Sequence, residues 1–265
     1  MAAPPLIEID KVRKTFDGGR TFAVADVTLR VESGVFLAVV GSSGSGKTTM
    51  LKFINCLIEP DGGEIRIDGA AVATADAPAL RRRIGYVFQG IGLFPHMSVG
   101  ENIGITPQLL GWPADEITAR IGELLDLVEL PRSYVSRLPA ALSGGQRQRA
   151  AVARAIAARP RIVLMDEPFG ALDPITRDSV GSAYRALHDK LGLTTLMVTH
   201  DVQEAVLLAD RIAVMKSGRL LAHDTPLALM SASDPDVAAL MAMPKRQAER
   251  IRIIMEGHSE DGRGE

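Results

Sequence analysis

Three short, mainly apolar runs predict the core strands of the chain. They cover Val35–Val40, Ile162–Met165 and Thr195–Val198. A run of this kind is typical of a strand that is buried on both faces. The second and third runs are each followed by a polar residue and then by a helical pattern. Buried strands that alternate with helices indicate a parallel α/β sheet, whose chemistry takes place at the carboxyl ends of the strands.

The pattern is different around the first run. Residues 6–31 alternate between apolar and polar positions on both sides of a turn at Asp17–Gly19, which predicts an antiparallel β region. About 120 residues separate the first run from the second, much more than one crossover requires. The helical spacing of residues 116–130 and the alanine-rich stretch 150–158 predict a helical subdomain inserted there. Ser217-Gly218 lies between two further apolar stretches and predicts a hairpin.

Composition and charge narrow the classes of function. Of the 265 residues, 46% are hydrophobic and 23% are charged, which is ordinary for a globular chain. The 30 basic and 32 acidic residues give no electrostatic reason to expect a nucleic-acid partner. The sequence has neither a membrane-spanning apolar stretch nor a signal-peptide pattern, so a cytoplasmic location is expected. Cys56 is expected to be a small buried hydrophobic residue.

A glycine-rich motif directly follows the first run. Residues 41–48 match G-x-x-x-x-G-K-[ST] at every fixed position. Glycines let successive N–H groups turn toward phosphate oxygens, while the next helix presents its positive end to the same anion. Lys47 would reach the β- and γ-phosphates of ATP, and the Thr48 hydroxyl would ligate Mg²⁺. The predicted phosphate-binding residues are Gly41, Ser42, Ser43, Gly44, Ser45, Gly46, Lys47, Thr48 and Thr49.

Two adjacent carboxylates follow the second run. Asp166 is predicted at the carboxyl end of the strand, where a carboxylate can hold Mg²⁺ through water. Glu167 comes next and can orient and deprotonate an attacking water molecule. Helix capping is the structural alternative for one carboxylate after a strand. A pair of them, in a chain with a phosphate loop, favours the catalytic role.

A second anion-binding device is predicted about a hundred residues beyond the first. Ser143 and Gln146 have the spacing of a capping box at the start of a helix over Arg147–Ala158. Gly144 and Gly145 leave N–H groups free at the positive end of that helix. If two chains pair head to tail, the anion-binding device of one chain can face the other device of its partner, so that both are used.

The residues LSGGQRQR at 142–149 resemble the signature sequence of ABC ATPases. This resemblance implies a P-loop NTPase fold and a dimer, in which the signature of one chain lies across from the phosphate loop of the other. It implies that Gln89 contacts Mg²⁺ and the transport subunit and takes part in catalysis. It also implies that Ala171–Asp173 form an interface loop and that His200 hydrogen-bonds the γ-phosphate.

The same resemblance extends to the base of the nucleotide. Phe16 occupies the place of an aromatic residue that stacks on adenine, and an aromatic face suffices for this role. Val24 is assigned to the nucleotide site with it. The resemblance covers residue 6 to about residue 230, with the motifs in the order of the family.

A narrower resemblance covers residues 88–112, FQGIGLFPHMSVGENIGITPQLLGW, which are similar to ATPase subunits of glycine betaine, choline and other osmoprotectant importers. In the family this is the surface on which the transmembrane partner docks. The resemblance implies an exposed apolar dock, although its members could equally belong to the core of the helical subdomain. They are Leu93, Phe94, Met97 and Trp112. Several osmoprotectant ATPases carry a pair of CBS regulatory modules after the ATPase, and no such regulation is expected here.

The sequence thus predicts an α/β P-loop NTPase with a mixed, parallel-core sheet. The expected division is an ATP-binding core of residues 1–90 and 159–230, a helical signature subdomain of 91–158, and a helical tail of 231–265 that is disordered from residue 257. The expected function is ATP hydrolysis with Mg²⁺ for an importer, peripheral on the cytoplasmic face of the membrane. The expected partners are a second ATPase chain, permease subunits and, indirectly, a solute-binding protein.

Quaternary-amine osmoprotectants are the expected solutes, with amino acids as the alternative. Three other functions are weighed against import. An ABC ATPase acting on DNA or ribosomes usually carries coiled-coil insertions or two fused ATPase halves. A metabolite kinase does not need the signature sequence, and exporters more often fuse the membrane domain to the ATPase.

Overall fold

Two β-sheets surrounded by helices form the fold of residues 5–260, the part of the chain that this computed structural model describes. The strands are β1 (Pro5–Thr15), β2 (Phe22–Glu32), β3 (Phe36–Val40), β4 (Gly62–Ile67), β5 (Ala70–Ala71), β6 (Ile84–Val87), β7 (Ile162–Asp166), β8 (Thr194–Thr199), β9 (Arg211–Lys216) and β10 (Arg219–Asp224). The α-helices are α1 (Lys47–Ile54), α2 (Ala77–Arg83), α3 (Val99–Leu109), α4 (Ala114–Leu127), α5 (Gly144–Ile156), α6 (Pro174–Leu191), α7 (Val202–Leu208), α8 (Pro226–Met230), α9 (Pro235–Met241) and α10 (Met243–Glu260).

The central sheet has the strand order β10-β9-β3-β8-β7-β6. Every pair in it is parallel except β9 and β10, which form the hairpin predicted at Ser217-Gly218. All residues of β3, β7 and β8 are buried, as expected for strands covered on both faces. The mixed sheet with a parallel core, predicted from the apolar runs, is therefore confirmed.

The second sheet has the strand order β2-β1-β4-β5, and β1 runs antiparallel to both of its neighbours. The alternation in residues 6–31 correctly predicted strands on both sides of the turn, but β1 and β2, at 11 residues each, are longer than the short strands that the pattern indicated. It did not predict β4 and β5, because each is short and lies among glycine and charged residues.

Alternate residues of β3 belong to two different hydrophobic clusters. Leu37 and Val39 join the cluster that contains α1 and the antiparallel sheet. Phe36, Ala38 and Val40 join the cluster on the opposite face, which contains residues of α3–α9. Successive side chains of a strand point to opposite faces, so β3 ties the two clusters together. It is from this fixed strand that the phosphate loop begins.

Helices α3, α4 and α5 follow one another between β6 and β7 and pack on each other. Arg120 of α4 is buried, and its guanidinium donates hydrogen bonds to the carbonyl oxygens of Ala157 (3.1 Å) and Ile156 (3.0 Å). It thereby satisfies carbonyl groups at the end of α5 that have no partner inside the helix. The helical insertion predicted from the sequence is present.

One expectation about local structure is wrong. Cys56 is only partly buried; it lies beyond the end of α1, with a positive φ of 55°. Helix α10 ends at Glu260, and the disorder expected from residue 257 stays a prediction that falls mainly on residues 261–265, outside the described residues. Among the helices of residues 5–260, none is long and apolar enough to cross a membrane.

Candidate active site

The phosphate loop and the segments that carry Gln89, Glu167 and His200 meet at one edge of the central sheet. In the strand register, Val40 pairs with Thr199 and Asp166 pairs with Val198, while Val87 pairs with Met165. The loops that leave β3, β6, β7 and β8 therefore start side by side at the carboxyl ends of parallel strands. This is the edge at which open α/β sheets bind ligands.

Two glycines of the phosphate loop are required by close backbone contacts. Gly46 has a φ of 96°, and a Cβ atom there would collide with the carbonyl oxygen of Ala23. A Cβ atom on Gly41 would collide with the carbonyl oxygen of Met215. The loop is thus wedged between β2 and β9, and only residues without a side chain fit at these two positions.

The ammonium group of Lys47 lies inside the loop. Its Nζ donates hydrogen bonds to the carbonyl oxygens of Gly41 and Ser42, each at 2.8 Å, and to Ser45 Oγ at 3.3 Å. Burial lowers the pKa of Lys47, and the nearby carboxylates of Glu167 and Asp166 oppose that effect. The loop therefore holds a positive charge at the start of α1, the end of the helix that attracts anions.

Thr48 and Asp166 form a pair of oxygen atoms beside the loop. The Thr48 hydroxyl donates a hydrogen bond of 2.8 Å to Asp166 Oδ1. Burial raises the pKa of Asp166, while this hydrogen bond acts in the opposite direction. Hydroxyl and carboxylate oxygens are the donors that Mg²⁺ prefers, so the residues present fit this ion.

Glu167 forms the centre of a second polar group. Its Oε2 accepts a 3.2 Å hydrogen bond from Gln89 Nε2 and lies 3.4 Å from His200 Nδ1. The backbone of Glu167 has a positive φ of 44°, and its N–H donates to the carbonyl oxygen of Val198. Such a conformation is unfavourable for a residue with a side chain and recurs at active sites. The structure thus brings together three residues that are far apart in the sequence.

The signature residues lie at the start of α5. Gln146 N donates to Ser143 Oγ (3.3 Å) and Ser143 N donates to Gln146 Oε1 (3.0 Å), which confirms the predicted capping box. Gly145 packs against Thr176 of α6, where a Cβ atom would meet the Thr176 methyl group. Among residues 5–260, no hydrogen bond joins Ser143–Gln146 to Gly41–Thr49. The two anion-binding devices are therefore separate within one chain.

The two residues expected near adenine have different environments. The Phe16 side chain is 65% exposed, and Lys14 Nζ lies 5.8 Å from the centre of its ring. Its ring is available for stacking. Val24 is completely buried beneath Gly46, in the cluster that contains α1. The Val24 side chain thus supports the loop from below, and its assignment to the nucleotide site stays a prediction.

A groove of about 590 Å³ lies next to Gln89. Its walls include Phe88 and Phe94, which are exposed, and Arg154, whose Nη1 donates to the carbonyl oxygen of Gly92 at 2.6 Å. The fully buried Asn102 fixes the adjoining turn through hydrogen bonds with both backbone groups of Phe94. Of the predicted apolar dock, Phe94 is exposed. Partial burial is found for Leu93, Met97 and Trp112.

Sequence reasoning did not identify three charged residues near His200. Arg177 forms an ion pair with Asp201 (3.1 Å), and Asp201 accepts hydrogen bonds from the first N–H groups of α7. Burial raises the pKa of Glu204, the third residue of that helix. The one available signal was Asp201 itself, since an aspartate before a helical pattern is a typical N-cap.

Comparison with known families agrees with this geometry. A family model described as ABC transporter matches residues 24–170, from β2 to just beyond Glu167. The chain belongs to the ABC transporter family. The resemblance stated from the signature sequence is thereby confirmed.

Among the most similar ABC proteins are ATP-binding subunits for osmoprotectants. The choline transport ATP-binding protein OpuBA of Bacillus subtilis (strain 168) is 50% identical over 221 residues, which are 83% of this chain and 58% of OpuBA. The glycine betaine uptake system ATP-binding protein YehX of Escherichia coli (strain K12) is 46% identical over 85% of this chain and 73% of YehX. This ABC chain therefore spans little more than half the length of OpuBA.

Solved ABC structures confirm the P-loop fold. The dimeric structure of MJ0796, a bacterial ABC transporter cassette, has a TM-score of 0.74 and 36% identity, covering 83% of this chain and 98% of MJ0796. A second dimeric structure of MJ0796, in a post-hydrolysis state with ADP and Pi, has a TM-score of 0.74 and 35% identity over the same shares.

Proposed function

We propose that this chain is the ATP-hydrolysing subunit of an ABC importer. The observation that carries the proposal is the position of Glu167, whose carboxylate contacts both Gln89 and His200. The phosphate loop and the Thr48–Asp166 oxygen pair lie at the same edge of the sheet. A base that activates water must lie close to the bound phosphate, and the carboxylate of Glu167 lies beside the anion-binding loop.

Each residue has one task in the proposed reaction. The phosphates of ATP bind to the N–H groups of Gly41–Thr49, with Lys47 beside the β- and γ-phosphates. Thr48 and Asp166 would hold Mg²⁺, which neutralises phosphate charge when bound. Glu167 accepts a proton from a water molecule while the oxygen of that water attacks the γ-phosphorus. The bond from that phosphorus to the β–γ bridging oxygen breaks, which leaves ADP and phosphate.

His200 and Gln89 orient these groups. His200 lies on the loop after β8 and is 61% exposed, so its ring is free to hydrogen-bond a γ-phosphate oxygen beside Glu167. Gln89 donates to the same carboxylate oxygen and so helps to fix its direction. Both contacts would hold the base within reach of the attacking water, and geometry of this kind is a large part of phosphoryl-transfer catalysis.

The complete site is proposed to need a second chain. The signature residues Ser143–Gln146 present a capped helix start with free glycine N–H groups, and among residues 5–260 they form no hydrogen bond with the phosphate loop of their own chain. The dimeric structures of MJ0796 support the pairing of two chains. In the proposed pair, each ATP lies between the loop of one chain and the signature of the other. ATP would then close the pair, and hydrolysis would open it.

The groove beside Gln89 is the proposed docking site for a permease. It adjoins the Glu167 group through Gln89, and Phe88 and Phe94 give it an exposed apolar wall. Docking there would link the state of the nucleotide site to membrane subunits, with this chain peripheral on the cytoplasmic face. The names of OpuBA and YehX support a quaternary-amine osmoprotectant as the solute.

Hydrolysis by a Glu167→Gln variant tests the proposal. The amide keeps the shape of the side chain and can still accept from Gln89, but it cannot take a proton from water. We expect ATP binding to persist and phosphate release to fall by about 100-fold or more. Hydrolysis at the wild-type rate would show that Glu167 is not the base. Lys47→Ala is the control that should weaken ATP binding itself.

A further inference from the structure

Arg177 contacts both loops that lead away from the Glu167 group. It stands on the first turn of α6, and its Nη2 donates to the carbonyl oxygens of Leu172 (3.1 Å) and Gly170 (3.5 Å). Its Nη1 donates to Asp201 Oδ2 at 3.1 Å. One planar guanidinium thus spans the segment after Glu167 and the segment after His200.

The Oδ1 atom and the N–H group of Asp201 form hydrogen bonds with the residues that follow and precede it. Oδ1 accepts from the N–H groups of Gln203 (2.9 Å) and Glu204 (3.2 Å), which caps α7. The N–H of Asp201 donates to Thr199 Oγ1 at 3.0 Å, across His200. His200 is therefore carried on a short segment that is fixed on both sides, and the Arg177 ion pair joins this segment to the start of α6.

The surroundings of Arg177 show that its orientation is set by these two contacts. The side chains of Arg177 and Asp201 are only 31% and 32% exposed. Within the described residues, the Nε of Arg177 is buried without a hydrogen-bond partner. A buried donor without a partner is unfavourable. The guanidinium therefore keeps its hydrogen bonds to Leu172 and Asp201 although its Nε–H has no partner. The buried carboxyl group of Glu204 lies close by.

The other end of this connection faces outward. Ala171 and Asp173 are exposed, and Ile175 at the start of α6 is 84% exposed. Leu172, between the first two, packs against the signature residue Gly144. A protein that contacts this segment would shift the carbonyl groups to which Arg177 donates its hydrogen bonds.

We propose that Arg177 is a positioning residue, which links the loop Gly170–Asp173 to His200 through Asp201. The proposal rests on the proposed function, since it assigns to this ion pair the placing of His200 beside Glu167. When a second chain contacts the exposed loop, a shift of that loop is passed to His200 through the guanidinium of Arg177, which bonds to both segments. The partner chain would thereby affect hydrolysis by the Glu167 of this chain, in addition to supplying the signature residues.

Three substitutions separate this role from a stabilising one. Arg177→Met removes the guanidinium, and Arg177→Lys keeps the charge but has one ammonium for two partners. Asp201→Asn keeps Oδ1 as the cap of α7 while replacing the oxygen that pairs with Arg177. Arg185→Met is the matched control: Arg185 is on the same helix, is 29% exposed, and bonds to Asp189, Asp210 and the Leu208 carbonyl away from the site.

The readouts are kcat and KM for ATP, together with thermal unfolding. We expect all three substitutions to lower kcat by about 10- to 100-fold while KM for ATP changes by less than about twofold. The Arg177→Met/Asp201→Asn double variant should be no slower than the slower single variant, because both remove one interaction. Arg185→Met should lower the unfolding temperature and leave kcat within about twofold.

Two results would overturn the proposal: a wild-type kcat in Arg177→Lys and Asp201→Asn, or equal losses of kcat in Arg177→Met and Arg185→Met. If Arg177→Met does not fold, Asp201→Asn alone decides. Failure of the link is distinguishable from failure of the proposed function. In the first case Glu167→Gln is inactive while the Arg177 variants are active; in the second, Glu167→Gln itself hydrolyses ATP.

Discussion

The hydroxyl of Thr48 donates a 2.8 Å hydrogen bond to Oδ1 of Asp166, across 118 positions of the chain. The contact joins the start of α1 to the end of β7, and so fixes the phosphate loop against the strand that carries Glu167. Since both partners are oxygen atoms, the same contact marks a site for a hard cation. The geometry of this pair underlies the first prediction.

The Asp166→Asn variant should need more Mg²⁺ for hydrolysis. Its amide oxygen can still accept the Thr48 hydrogen bond, so the loop stays in place while the negative charge is lost. We expect the half-saturating Mg²⁺ concentration to rise by about 10- to 100-fold, the range found when carboxylates around a metal are removed. A titration of phosphate release with Mg²⁺ at saturating ATP measures it. An unchanged half-saturation point would exclude Asp166 from the metal site.

Phe16 and Val24 should give opposite results when each is replaced by alanine. Phe16→Ala removes an exposed ring, so we expect ATP binding to weaken by about 1–3 kcal/mol, as for other base–aromatic stacks, with unchanged stability. Val24→Ala opens a cavity under the phosphate loop, so the free energy of unfolding should fall by about 1–3 kcal/mol. Urea unfolding and binding of a fluorescent ATP analogue measure the two effects. Weaker ATP binding in Val24→Ala, with no loss of stability, would instead support direct contact between Val24 and the nucleotide.

The motifs could be predicted from the sequence because each one is local. The phosphate loop needs glycines at fixed spacing, and the capping box of Ser143 and Gln146 is complete within four residues. The buried strands β3, β7 and β8 are recognisable because a strand covered on both faces has no polar side. These features together were sufficient for the family and the fold.

What could not be predicted depends on contacts between distant segments. Val24 looks like any strand residue until β2 is seen to pass beneath Gly46. Arg177 and Asp201 are ordinary charged residues in the sequence, and only the packing of α6 beside α7 makes them an ion pair. The order of the central sheet, with β8 and β9 on either side of β3, likewise has no local signal.

The free energy of unfolding should decrease as the pH falls below about 6.5, the ordinary pKa of histidine. Burial and the charge of Arg185 lower the pKa of His188 in the folded chain, and burial also lowers that of His223. Asp210 and Asp189 partly oppose the effect on His188. The unfolded chain takes up protons on these residues near pH 6.5 and the folded chain does not, so acid favours unfolding.

Replacing His188 by asparagine should reduce this pH dependence. The asparagine amide is bonded to Cγ, as Nδ1 of His188 is, and can replace the hydrogen bond of 2.9 Å to Thr195 Oγ1. Urea unfolding at pH 7.5 and pH 5.5 gives the loss of stability for the wild type and the variant. We expect a smaller loss in the variant, with the remainder due in part to His223. An equal loss in both proteins would contradict the assignment to His188.

The most direct test of the account is the mass of the Glu167→Gln chain in solution with ATP, because the central claim is that a second chain completes the site. We compare it with two further variants in the same background. Ser143→Arg blocks the signature and removes its capping box, whereas Ser98→Arg removes the equivalent capping box of α3, well away from the signature in the sequence. Each substitution removes a cap worth about 1 kcal/mol, so their effects on stability are matched.

We expect sedimentation to show that the Glu167→Gln chain doubles in mass on addition of ATP, and that the Ser98→Arg variant does the same. With Ser143→Arg the chain should bind ATP and keep the mass of one chain. Pairing of the Ser143→Arg chain as tightly as its parent would contradict the claim that the signature of one chain closes the site of the other.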